Sequence, residues 1–264
     1  MKLEIDKNKT LWEQWSGMHF DSGFYDVPSF LGGKNTLHDI EKDEIGEVKG
    51  KTLLHLQCHF GLDSMSLARM GAEVTGVDIS ETAIKKAWEL AELLQLNVEF
   101  FASDVYDLKT LIHKKYDMVF CSYGVIQWLP DLKTWADIIS WCLNPGGKFY
   151  LADFHPVLWM LDENTARLKY PYDSGGKALK FEDVSSYAAP EIPLKNQEYN
   201  WQHGLGQVIN SLIGQGLRIE FLNEHDYSPY PVLRDMVEIE ESRWIHKKLE
   251  RNIPYVFSVM AKKT

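Results

Sequence analysis

Asp78 closes the run Glu73–Asp78 (EVTGVD), a strand-like stretch that ends in an acid. A carboxylate at the carboxyl end of a strand only accepts hydrogen bonds, which suits two vicinal ribose hydroxyls. The loop Gln57-Cys58-His59-Phe60-Gly61-Leu62-Asp63 begins about 20 residues earlier, a spacing that fits either a dinucleotide or an adenosine-containing ligand. A dinucleotide asks for Gly-x-Gly-x-x-Gly, so that bare backbone amides approach a pyrophosphate. Here the loop offers one glycine and an acid, and a pyrophosphate is poorly served. His55 and His59 lie four apart, but they fall on a strand and its loop, where they point differently, so they make no metal pair. Cys58 and Cys121 read as small buried side chains rather than nucleophiles. His155, just past an apolar run, and Tyr199 with His203, at the head of a helical pattern, are the polar groups best placed for substrate work.

These residues need elements to hold them, and the chain supplies strand and helix in alternation. Thr52 to Gln57 is a short apolar run, followed by an amphipathic stretch Leu62 to Met70 and a stop at Gly71. After Glu73–Asp78, Ser80 caps a helix whose apolar positions Ile84, Ala87, Trp88, Ala91 and Leu94 keep a 3.6-residue period. Asn97 to Ala102, Tyr116 to Cys121 and Lys148 to Asp153 are further strands. Leu132 to Leu143 is a helix that ends at Asn144-Pro145-Gly146-Gly147. The alternation predicts a parallel, doubly wound α/β sheet with helices on both faces. Ligands of such sheets bind at the carboxyl ends of the strands, where strand order reverses.

Outside that rhythm, Lys7 to Lys34 carries Trp12, Trp15, Phe20, Phe24, Tyr25 and Phe30 and reads as an aromatic cover. Phe154 to Tyr199 has no clear period, and connections of that length are usually lids, binding loops or disordered segments. Trp201 to Gly214 is helical in pattern, Leu217 to Asn223 and Pro254 to Lys262 are strand-like, and Glu224 to Ile253 is irregular. We therefore expect a single domain over 1–264, with an N-terminal cover (1–48), a core (49–153), a lid insertion (154–199) and a C-terminal helix and strand pair (200–264).

Composition narrows the function classes. With 264 residues, 45% apolar, 25% charged and a formal net charge of −10, the chain is neither disordered nor suited to nonspecific binding of nucleic acid or anionic lipid. Three cysteines in irregular spacing suit a reducing compartment. No apolar run approaches a membrane span and the first residues are polar, so the expectation is a cytoplasmic protein acting on a small molecule, without nucleic-acid or membrane partners, as monomer or homodimer.

From Lys49 to His155 the chain resembles the class I S-adenosylmethionine (SAM)-dependent methyltransferases, of a small-molecule type with a glycine-poor first motif. Leu53-Leu54-His55-Leu56-Gln57-Cys58-His59-Phe60-Gly61 stands at that motif, with His55 in place of an acid and Gln57 and His59 in place of two glycines. Val77-Asp78-Ile79-Ser80 matches the second motif, Ser103-Asp104-Val105 the third and Asn144-Pro145-Gly146-Gly147 the turn before the fifth strand; Tyr116 to Ser122 looks like the fourth strand. The resemblance implies a mostly parallel, seven-stranded, Rossmann-like sheet and SAM as cofactor, with S-adenosylhomocysteine as product. It places Asp78 and Ile79 at the ribose, Asp104 and Val105 at the adenine, and Gln57, Cys58, His59, Gly61, Cys121 and Ser122 around the ligand. Because Gln57 and His59 fill space that glycines leave open, Tyr25 in the cover is expected to reach the methionine carboxylate. His155, Tyr199 and His203 would then be the acceptor-side groups. A nicotinamide-dependent oxidoreductase and a non-catalytic SAM-binding protein are the alternatives, and the phosphate-poor loop speaks against the first of them.

Overall fold

The computed structural model describes residues 2–182, 185–190, 192 and 194–264. Its centre is a seven-stranded sheet. The first five strands are β1 (Thr52–Leu56), β2 (Glu73–Asp78), β3 (Val98–Ala102), β4 (Tyr116–Ser122) and β5 (Leu143–Phe154). Two short strands of the lid insertion follow, β6 (Leu179–Glu182) and β7 (Gln197–Asn200), and pair with each other. β8 (Leu217–His225) and β11 (Val256–Lys263) complete the central sheet, while β9 (Met236–Glu240) and β10 (Arg243–His246) form a separate hairpin. The order across the sheet is β3-β2-β1-β4-β5-β11-β8, parallel through β5, with β11 antiparallel to both neighbours. Strand order reverses between β1 and β4, so a crevice opens beyond their carboxyl ends.

Two apolar layers hold the sheet. One packs Leu53, Met65, Phe100, Phe120 and Tyr150 under the α4 (Leu62–Arg69) and α5 (Glu81–Leu93) side. The other packs Leu54, Val119, Trp135, Ile139 and Phe149 under α7 (Leu132–Cys142) and α8 (Leu205–Gly214). Alternate residues of one strand feed opposite layers, as the two-residue period requires. Ser80 caps α5, its hydroxyl accepting from the Ala83 amide at 3.1 Å. Trp88 departs from the sequence reading: it keeps the helical period but stays 47% exposed, its indole donating to the Phe100 carbonyl at 3.1 Å. The Asn144-Pro145-Gly146-Gly147 turn falls within β5 rather than before it. A Cβ at Gly147 would lie 2.9 Å from the Asn144 carbonyl and 3.0 Å from that of Tyr116, so the chain passes there only as glycine.

The N-terminal aromatic segment is a long helix, α1 (Lys2–Phe20), followed by α2 (Val27–Leu31) and α3 (Asp39–Glu44); α6 (Leu108–Leu111) is a single turn near β4. Glu13 of α1 accepts the Thr82 amide (3.0 Å) and the Glu81 amide (2.6 Å), an anion seated at the N-terminus of α5. Asn8 exchanges two hydrogen bonds with the backbone of Tyr199 (2.7 and 2.9 Å), tying α1 to β7. On α3, Glu44 accepts from Tyr150 (2.8 Å), Asn223 (2.8 Å) and Ser258 (2.9 Å), which seats that helix on β5, β8 and β11. Among the described residues, no helix is long and apolar enough to cross a membrane. Positions 183, 184, 191 and 193 of the lid insertion lie outside the described residues.

Candidate active site

The loop after β1 is built against its own stereochemistry. Gln57 (φ 56°) and His59 (φ 52°) both adopt the left-handed region, where an L residue with a Cβ is strained by about 1 to 2 kcal/mol. Four bonds hold them there. The Cys58 amide donates to the Val77 carbonyl (2.9 Å), the His59 amide to Asp78 Oδ2 (2.8 Å), the Gly61 amide to the Cys58 carbonyl (2.9 Å) and Gln57 Nε2 to the Val125 carbonyl (3.1 Å). Gly61 then turns the chain into α4 at φ 77°, and a Cβ on it would meet the Phe100 ring at 2.6 Å.

Asp78 closes the next strand, 9% exposed, with Oδ1 accepting the Ser80 amide at 2.9 Å and Oδ2 the His59 amide. Burial outweighs those amides and pushes its carboxyl up to about 6. Asp104 follows β3 and accepts the Tyr106 amide at 3.0 Å; burial raises its pKa too. At the end of β5, Asp153 is buried beneath the β4 loop and accepts the amides of Val125 (3.1 Å), Ile126 (2.9 Å) and Gly124. Its carboxyl is raised to about 6 by the same balance.

A cavity of about 1740 Å³ fills the crevice and continues beneath the covers. Tyr25, Gln57, Cys58, His59, Gly61, Asp78, Ile79, Asp104, Val105 and Ser122 all line it. Cys121 does not. It points into the opposite apolar layer, because the strand alternation that turns Ser122 toward the cavity turns Cys121 away. The three acceptor-side residues are also elsewhere. His155 is turned toward β8, its Nε2 3.0 Å from Glu224 Oε1, while its neighbour Phe154 lines the cavity. Tyr199 sits between Glu198 and Asn200, both of which line the cavity, so the two-residue period faces it away. His203 places Nε2 2.7 Å from the Leu129 carbonyl and borders a separate hollow beside α8.

In their place the structure brings residues without an assigned role in the sequence reading up to His59 and Tyr25, which that reading had named. Trp12 of α1 meets His59 and Trp128 edge-on, at 5.4 and 5.2 Å between centroids. His19 Nδ1 is 2.9 Å from His59 Nε2, and its other nitrogen is bonded to Ser186. Burial lowers His19 to about 3, so both rings are neutral near pH 7. The Tyr25 and Tyr187 hydroxyls pair with each other. Farther along, His38, Tyr123 and Tyr230 make an aromatic wall, the His38 ring 4.7 Å from that of Tyr230. A helical period in α1 was the available signal: Asn8, Leu11, Trp15, Ser16 and His19 are its buried positions.

Comparison with known proteins agrees with this architecture. Residues 54–149 match a family model described as "Methyltransferase domain". The ubiquinone biosynthesis O-methyltransferase of Coxiella burnetii (strain RSA 493 / Nine Mile phase I) is 34% identical over 105 residues, 40% of this chain and 44% of that protein. The Bordetella avium (strain 197N) enzyme of the same name is 30% identical over 107 residues, again 40% and 44%. The chain thus matches less than half the length of these relatives. Among solved structures, an S-adenosylmethionine-dependent methyltransferase of Mesorhizobium loti superposes with TM-score 0.59 at 20% identity, covering 88% of this chain and 100% of that one. The magnesium protoporphyrin IX methyltransferase of Synechocystis PCC 6803 with bound S-adenosylhomocysteine gives 0.52 at 17% identity, over 97% and 99%. That match spans β1 to β5, so residues 54–149 are similar to the methyltransferase-domain family, and the sheet, whose order reverses between β1 and β4, has the fold of the S-adenosylmethionine-dependent methyltransferases it superposes on.

Proposed function

We propose that the protein binds SAM at the carboxyl ends of β1 to β4 and transfers its methyl group to a small-molecule acceptor. The observation that carries this reading is one continuous cavity with two unlike ends. Asp78 and Asp104 stand at one end, and the wall of His38, Tyr123 and Tyr230 lies beyond Ser122. The residues fit the cofactor. Gln57 Oε1 and His59 Nδ1, in the loop that would border it, are buried without a protein partner, and buried polar atoms are ordinarily satisfied. Asp78 would accept from the ribose hydroxyls, Asp104 would face the adenine, and Gln57, Cys58, His59 and Gly61 with Tyr25 would border the methionine end.

When bound, SAM supplies a methyl on a cationic sulfur that departs as a neutral thioether. The chain's part is then mainly to hold the acceptor in line and keep water out. Positioning of that kind is worth up to about 7 to 11 kcal/mol. α1 and the strand β7 it grips roof the cavity, with Trp12, Trp15 and Tyr187 as its inner surface. On this reading His155, Tyr199 and His203 are not the proton acceptors: His155 lies against Glu224, His203 against the Leu129 carbonyl, and Tyr199 faces away from the cavity. An oxygen acceptor is the reading the O-methyltransferase relatives favour.

Thermal unfolding with SAM, S-adenosylhomocysteine and the nicotinamide cofactors tests the cofactor. We expect the first two to raise the melting temperature and the nicotinamides to leave it unchanged. Formation of S-adenosylhomocysteine with a panel of small hydroxylated acceptors tests turnover. Stabilisation by a nicotinamide cofactor alone would overturn the proposal, and binding of SAM without turnover on any acceptor class would favour a non-catalytic SAM-binding protein.

A further inference from the structure

Asp63 lines the cavity and, unlike Asp78 and Asp104, is held by hydroxyls rather than by backbone amides. It sits in the first turn of α4, where a carboxylate could serve its own helix amides, yet its oxygens turn outward. Oδ1 accepts the Thr36 hydroxyl at 2.6 Å and Oδ2 the Ser122 hydroxyl at 2.9 Å, so the carboxylate is clamped between the N-terminal cover and the end of β4. Part of its surface remains open, and Asp63 lines the cavity. Both clamping groups are neutral, and among the described residues no cation pairs with it. The ionisable side chains that sense its charge, Tyr25, Glu41, Cys58 and Tyr230, are all acids. The cations lining the cavity have other partners: Lys34 pairs with Asp26, Lys42 and Arg243 with Asp39, Lys169 with Asp162 and Lys180 with Glu182, while Arg234 donates to the Asn164 side-chain oxygen at 3.4 Å.

A desolvated carboxylate held in place by two hydroxyls and left unneutralised by the protein is complementary to a cationic group of the ligand. Of the other buried acids on the cavity wall, Glu198 lies on β7 and is hydrogen-bonded to Asn200. Asp78 is held by the amides of His59 and Ser80, and Asp104 by that of Tyr106. His55, beside Asp63 across Ser64, carries no charge, since burial lowers it to about 3 and its Nδ1 is 2.8 Å from the Ser64 hydroxyl. Resting on the SAM reading above, we propose that Asp63 is the anionic anchor for a primary ammonium of the bound ligand, which for SAM is the α-ammonium of its methionine end. Asp63 is a binding residue in this assignment. It gives the glycine-poor loop a charge contact that its own side chains, Gln57 and His59, cannot offer.

Calorimetry on the full chain separates this assignment from the reading beneath it. Four ligands are compared: SAM, S-adenosylhomocysteine, decarboxylated SAM, which keeps the ammonium and lacks the carboxylate, and 5′-methylthioadenosine, which lacks both. Asp63→Asn preserves the shape of the side chain and removes its charge. It should weaken the three ammonium-bearing ligands about tenfold or more, the scale of one charged hydrogen bond, and change 5′-methylthioadenosine less than about twofold. Asp63→Glu restores the charge and should recover part of the loss, which a purely structural role would not do. Melting curves establish that the variants fold; should Asp63→Asn fail to fold, Asp63→Glu carries the test, by weakening the ammonium-bearing ligands selectively. Wild-type affinity for SAM in a folded Asp63→Asn protein would overturn the anchor while leaving the cofactor reading intact, as would equal loss for all four ligands. A wild-type protein that binds none of them would overturn the cofactor reading itself.

Discussion

The crevice at the ends of β1, β2, β4 and β5 and the cover above it are held together by different kinds of bond. In the crevice, carboxylates accept from backbone amides: Asp78 from two, and Asp153 from the successive amides of Gly124, Val125 and Ile126. In the cover, side chains reach partners far away in sequence. Asn8 bonds Tyr199 across 191 residues, and His19 bonds Ser186 across 167. Amide-bound carboxylates shape a loop from within and stay in place as long as the sheet does. Side-chain pairs between distant segments enclose a long loop, whose ordering costs entropy, so they open at lower free energy. The cofactor end of the cavity is therefore preformed, and its roof is the part able to move.

The sharpest way to break this contrast is to attack the crevice where one side chain serves most amides. Asp153→Ala strands the buried donors of Val125 and Ile126 at about 1 to 3 kcal/mol each. We expect a loss of roughly 3 kcal/mol or more and, for a chain of this size, a fall of about 6 to 12 °C in melting temperature. Calorimetric unfolding checks it. A variant that melts with the wild type would mean that the β4 loop is held by something other than Asp153.

The same contrast explains what could be read from sequence. Runs such as TLLHLQ and EVTGVD announce strands by local pattern, and the acid that ends a strand lands at the crevice wherever the strand ends there. Hence the place of Asp78, Asp104 and the loop from Gln57 to Gly61 at the crevice was legible, and the parallel order followed from the alternation of elements. Cys121, His155 and Tyr199 were misplaced for one reason: in each case the residue next to it lines the cavity, and a strand sends successive side chains to opposite faces. Tyr199 shows why this was hard to see, since nothing in the irregular stretch around it marked β7 as a strand. α1 was missed as a helix because its buried face mixes Asn8, Ser16 and His19 with Leu11 and Trp15, and those polar residues find partners only in segments far along the chain. Asp63 could be read only as an acid that suits a pyrophosphate poorly, for its contacts come from Thr36 and Ser122, far from it in sequence.

A second, smaller effect sharpens the comparison by separating folding from binding within the crevice. Asp78→Asn keeps an acceptor for one of the two amides but cannot serve as a charged acceptor for two ribose hydroxyls. Each hydrogen bond to a charged group is worth about 1.5 to 3 kcal/mol, so SAM affinity should fall at least about tenfold while the protein stays folded. Unchanged affinity by calorimetry would remove Asp78 from the ribose.

The mildest perturbation is aimed at the cover alone and works through pH. His19 is buried against His59, Tyr25 and Ser186, and desolvation holds it neutral with a pKa of about 3. Released into water, its imidazole returns to about 6.5. The docked state therefore binds fewer protons than the undocked one between these values. Docking is fully favourable above about pH 6.5 and weakens as pH falls toward 3. At pH 5 the deficit from His19 is about 2 kcal/mol, enough to raise the open population of the cover some thirtyfold without unfolding the sheet. Protonation of the neighbouring His59, lowered by burial and by His19 itself, adds in the same direction. Hydrogen exchange in α1, corrected for its intrinsic pH dependence, should speed up between pH 7 and pH 5 more than exchange in β1 and β4, and His19→Gln should remove most of that difference. Equal protection of α1 and the central strands at both pH values would show the roof to be as fixed as the crevice, and ligand entry would then need a different door.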